Sequence, residues 1–103
     1  MFVMIYTPGP AWQMVKTVAE LPFYREHCTY IDQVFASGQL LAGGPFLDNQ
    51  GALGLLAVED EAQARDIVAH DPFVQAGVVE PHLHPWQDAY FNQYQARRTP
   101  SGS

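Results

Sequence analysis

A chain of 103 residues with 48% hydrophobic and 16% charged residues has enough apolar surface for one core and too little length for two, which excludes a disordered or multidomain architecture. Its net charge of −6, with Arg97 and Arg98 as the sole adjacent pair of cations, argues against nucleic acid or an anionic membrane as partner. One cysteine, Cys28, rules out an internal disulfide and a multi-cysteine zinc site.

Phe2 to Tyr6 is an apolar run ended by Thr7, Pro8, Gly9 and Pro10, and it reads as a buried strand entering a loop that extends to about Lys16. The segment lacks the cationic start of a secretory signal, and no apolar run is long enough to span a bilayer, so a cytoplasmic location is expected. From Pro22, with Pro22 able to occupy the first turn, the residues Phe23, His27, Tyr30, Ile31, Val34 and Phe35 recur at helical spacing, and Gly38 supplies the stop. Leu40 to Leu47 and Ala52 to Val58 are apolar runs joined by Asp48, Asn49, Gln50 and Gly51, which predicts a β-hairpin.

Glu59 and Asp60 lead into a second amphipathic helix whose stripe is Ala62, Ala64, Ile67 and Val68, ended by Asp71 and Pro72. After a turn through Gly77, Val78 to Tyr90 is extended, and Pro81 and Pro85 confine it to an edge or to bulged pairing. The order β-α-β-β-α-β predicts an α+β, ferredoxin-like sandwich with both helices on one sheet face. The other face is also apolar, with Leu40, Leu41 and Ala42 in one strand and Leu53, Leu55 and Leu56 in the next, so a homodimer formed through it is expected. The domain is drawn at residues 1–90. The extension from Phe91 to Ser103 is expected to pack in its first half and to be disordered in its last residues.

His27 falls between Phe23 and Ile31 on the stripe that faces the sheet, where an imidazole is either a satisfied structural group or one tuned for proton transfer. At about 1.5 Å per helical and 3.3 Å per strand residue, the rise from Gly38 back to His27 reaches Gly43 to Pro45. If the chain beyond Pro45 curls back, Asp48 completes a dyad with His27; otherwise Asp48 closes the hairpin, as aspartate readily does. Gly43 and Gly44 either admit a substrate to the backbone or relieve crowding under the helix.

His82 and His84 share one strand face, a geometry open to a metal pair without an evident third ligand or to a pocket-lining role. No metal site is assigned. Cys28 projects about 100° from His27 around the helix, which favours packing over a thiolate–imidazole pair. His70, at the end of the second helix, suits the helix dipole.

The helix with His27, the stretch Gly38-Gln39-Leu40-Leu41-Ala42-Gly43-Gly44-Pro45 followed by Asp48, the segment Asp71-Pro72-Phe73-Val74-Gln75-Ala76-Gly77-Val78 and the closing Pro85-Trp86 together resemble a YCII-related domain. The resemblance implies a dimeric α/β barrel with a cleft between the first helix and the sheet of each subunit. It also implies that His27 and Asp48 are the acting pair. Gly43, Gly44, Pro45, Phe46, Tyr6, Phe73, His82 and Trp86 are expected to line the cleft. Relatives include enzymes that eliminate chloride from hydroxylated aromatics without a cofactor, and the wider superfamily contains muconolactone isomerases and small monooxygenases. The expectation is therefore a lyase or isomerase that moves a proton on a cyclic, aromatic or quinone-like substrate without a redox cofactor. The alternative is a non-catalytic module that binds a metabolite.

Overall fold

The computed structural model describes residues 1–92. Strand β1 (Phe2–Pro8) alternates strictly: Phe2, Met4 and Tyr6 are buried on one face, while Val3, Ile5 and Thr7 point to the other. Helix α1 spans Tyr24–Ala36, β2 Leu40–Pro45, β3 Ala52–Leu56, α2 Glu61–Ala69, α3 Pro72–Gln75 and β4 Val79–Pro85. The strands form one antiparallel sheet in the order β2-β3-β1-β4, which is the expected ferredoxin-like arrangement. Among the described residues β4 has β1 as its single neighbour, and an edge strand tolerates Pro81 and Pro85, which lack the N–H that an interior strand would need.

The core lies on the face of Phe2, Met4 and Tyr6, where Val34 of α1, Ile67 and Val68 of α2, and Phe73 of α3 close over them. α1 starts two residues later than its sequence pattern predicts, because Phe23 adopts a left-handed conformation at φ 65° as the residue before the helix, so Pro22 stays outside the first turn. Phe23 and Phe35 are exposed, and the inward stripe is carried by His27, Ile31 and Val34. Gly38, at φ 86°, ends the helix as its sequence position predicts.

A bulge at Leu41 positions the site. Leu40 pairs with Leu56 but Ala42 pairs with Leu55, so Leu41 is the extra residue, and Leu40 and Gly43 both face the helices. Without that insertion Gly43 would face away from α1. Asp71 and Pro72 do more than end the second helix. They open the separate one-turn α3, in which Pro72 occupies the first turn and Asp71 caps it, its side chain accepting from the Phe73 N–H.

The opposite sheet face carries the half-buried Val3, Ile5 and Leu55 and the exposed Leu53 together with His82 and His84, and no described element covers it. No helix among the described residues is long and apolar enough to cross a membrane. The expectation for the end of the chain falls almost wholly on residues 93–103, outside the described part.

Candidate active site

The α1 spacing brings His27 onto the sheet-facing stripe, and its Nδ1 lies 2.7 Å from Asp71 Oδ1 and 3.0 Å from Oδ2. Asp71 is 1% exposed, the one buried charged residue described. An ionised carboxylate only accepts, so it takes Nδ1–H of His27, the backbone N–H of Phe73 on Oδ1 at 2.9 Å and the Tyr6 hydroxyl on Oδ2 at 2.7 Å. Three donors converge on it from three elements, β1, α1 and α3, which is how a buried charge is tolerated here. The His27 ring also stacks on Phe73, with centroids 4.0 Å apart and planes 8° from parallel. A single Asp-Pro-Phe turn thus supplies the carboxylate that orients the imidazole and the aromatic face that fixes its plane.

With Nδ1 turned to Asp71, the neutral imidazole carries its lone pair on Nε2, at the opposite edge of the ring. His27 borders a cleft of about 210 Å³ between α1, the sheet and the loop after β1. Its side chain is 17% exposed, so the ring is reachable without being solvated. Burial and the adjacent Asp71 carboxylate push the Tyr6 hydroxyl far above the usual phenol range, which keeps it a donor to Asp71. A hydrogen bond to the Cys28 thiol raises the Tyr24 hydroxyl, and partial burial followed by the nearby Asp71 raises that of Tyr30, which donates to the Ile67 carbonyl at 2.7 Å.

The proposed His27–Asp48 dyad is corrected by this geometry. His27 does share its cleft with Gly43, Gly44 and Pro45, as the helix and strand rises predict. The chain after Pro45 does not curl back, because Phe46 N–H donates to the Gly51 carbonyl at 2.8 Å and closes the hairpin. Asp48 is exposed, and its Oδ1 accepts from Gln50 N–H at 3.1 Å, so it serves as a turn residue.

Tyr6 and Phe73 border the cleft, although the Tyr6 hydroxyl is committed to Asp71. A Cβ at Gly44, which pairs with Leu53 and points to the uncovered sheet face, would meet nothing within 4 Å, so Gly44 borders the cleft through its backbone, whereas one at Gly43 would press on the Leu53 carbonyl at 3.3 Å. Phe46 borders a shallower outer recess. His82 is a correction: it lies on the uncovered sheet face, paired with Ile5, and its Nε2 is 2.9 Å from Thr7 Oγ1. Strand alternation sends it away from the side chain of Tyr6. Trp86, beyond the end of β4, binds the Met1 carbonyl through its backbone N–H and does not border the cleft. No group of three or more potential metal ligands occurs among the described residues. Trp12 and Tyr24 border the cleft as well, and so do Val18, Cys28 and Ile31, which the sequence did not single out for it.

Residues 1–86 match the model of the YCII-related domain. The chain belongs to this family. The YCII fold is shared with a solved structure of 5-chloro-2-hydroxyhydroquinone dehydrochlorinase (TftG) from Burkholderia phenoliruptrix AC1100 in complex with 2,5-dihydroxybenzoquinone. The two are 22% identical with a TM-score of 0.64, over 84% of this chain and 94% of that one. No curated protein matches the sequence.

Proposed function

We propose that this YCII-related protein is a small-molecule lyase or isomerase in which His27 Nε2 takes a proton from a cyclic, aromatic or quinone-like substrate. The observation that carries this is the His27–Asp71 pair, bonded at 2.7 Å at the wall of an otherwise apolar cleft. Asp71 fixes the tautomer with Nε2 unprotonated and stabilises the imidazolium once the proton arrives. In a lyase the electron pair left on the ring expels a leaving group as an anion. In an isomerase the imidazolium returns the proton to a different ring position. Neither step changes the oxidation state of a cofactor, so none is required. The fold neighbour, named as a dehydrochlorinase and solved with a quinone, supports elimination as the first chemistry to try. A second copy packing on the Val3, Ile5 and Leu55 face would cover the apolar side of the sheet and give a homodimer.

The test is incubation with halogenated and hydroxylated quinols and with lactones, following halide release and product mass. His27→Gln retains a donor for Asp71 but no basic nitrogen, and its turnover should fall by about a hundredfold or more with little change in melting. Full activity in that variant removes His27 from the mechanism. Compounds that stabilise the wild type and are always recovered unaltered would instead make this a binding module.

A further inference from the structure

We infer that the cleft selects an uncharged single-ring substrate and rejects the same ring bearing a carboxylate. This rests on the proposed function above and adds to it the charge and size of what enters.

The volume of about 210 Å³ bounds the size. An apolar cavity of about 150 Å³ accommodates benzene, so this one suits one six-membered ring with small substituents. The lining decides the charge. Met4, Trp12, Val18, Ile31 and Leu40 supply apolar wall, and among the described residues no lysine or arginine borders the cleft. Of the polar groups there, the Tyr6 hydroxyl donates to Asp71 and Nδ1 of His27 is held by Asp71. Nε2 of His27, which carries the lone pair, is left to accept from one ring hydroxyl. Directly behind that imidazole lies the buried Asp71 carboxylate, a like charge to any anion that enters. Lys16 borders the outer recess, which shares Val18, Tyr24 and Pro45 with the cleft but not its His27 end. An anion in the cleft would thus lose its hydration with no lysine or arginine to meet it, while a neutral quinol would lose much less.

Binding to the wild-type chain separates the possibilities, measured by titration with hydroquinone, 2,5-dihydroxybenzamide and 2,5-dihydroxybenzoate. The last two share shape and differ in charge. The expected result is that hydroquinone and the amide bind and that the carboxylate binds on the order of thirtyfold more weakly or worse. Equal binding of acid and amide, or preference for the acid, overturns the charge selection and leaves the proposed function standing. Binding of hydroquinone alone shows that size excludes both and likewise overturns it. Failure of all three to bind counts against the inference and the proposed function together.

Discussion

Substituting Asp71 distinguishes the carboxylate that the fold brings to His27 from Asp48, the one that the sequence suggested. In Asp71→Asn the amide oxygen can keep the cap on Phe73 N–H, which places the NH₂ where Oδ2 stood, 2.7 Å from the Tyr6 hydroxyl and 3.0 Å from His27 Nδ1. Tyr6 can rotate its hydroxyl to accept, so the loss is mainly that of charge assistance, about 1 to 2 kcal/mol. At His27 the amide divides the two contacts: its oxygen, 2.7 Å away, still accepts Nδ1–H but without the negative charge that stabilises an imidazolium, and its NH₂, 3.0 Å away, donates to Nδ1 of the other tautomer, whose cleft edge is no longer a base. Turnover should fall by about a hundredfold to ten-thousandfold while the fold survives. Asp71→Ala also removes the cap and strands the buried Tyr6 hydroxyl, for about 3 to 4 kcal/mol in all, with the part-exposed His27 compensated by water. Asp48→Ala, on an exposed turn, should cost under about 0.5 kcal/mol and leave turnover intact. Urea unfolding gives the stabilities, and nitrogen-15 spectra of the imidazole report which ring nitrogen carries the proton. An Asp71→Asn protein with the proton still on Nδ1 and full activity would refute the assignment, as would an inactive, well-folded Asp48→Ala.

The raised Tyr6 hydroxyl has a consequence for alkaline stability: the native state keeps this proton after the unfolded chain has lost it. The contribution is complete below about pH 10 and declines as the pH rises beyond that, by about 1.4 kcal/mol per pH unit. Tyr6→Phe should flatten that decline in urea melts taken from pH 9 to 11; an unchanged slope would mean that Tyr6 ionises in the fold as it does outside it. Gly51 sits at φ 127° with its missing Cβ directed at the Tyr6 carbonyl, so Gly51→Ala should destabilise by about 2 to 4 kcal/mol in the same assay, whereas Gly54→Ala meets the mobile end of Met4 at 2.8 Å and should cost less. For the proposed homodimer, Ile5→Lys should give a folded monomer by sedimentation with an unchanged far-ultraviolet spectrum, and an unaltered mass would mean that another surface joins the copies.

The local patterns were sufficient for the four strands, α1, α2 and their order, and left α3 unread. Alternation in Phe2 to Tyr6, the helical recurrence of His27, Ile31 and Val34, the turn residues before Gly51 and the stop at Gly38 each act over a few residues, where propensity and periodicity govern. They also placed His27 toward the sheet and opposite Gly43 to Pro45. The partner of His27 was not readable in that way. Asp48 and Asp71 both precede or occupy turns and both suit a cap, so composition does not separate them. What separates them is the closure of the hairpin at Phe46 and Gly51, which carries one carboxylate outward, and the packing of α3 under α1, which brings the other across 44 residues of sequence to within 2.7 Å. His82 was likewise decided by strand register, since one residue of offset exchanges the cleft face for the open one. Short-range chemistry in the chain thus determined α1, α2, the strands and the inward placement of His27. Long-range packing chose the carboxylate, because a buried charge settles only where several donors from distant segments converge, and here those are Tyr6, His27 and the backbone of Phe73.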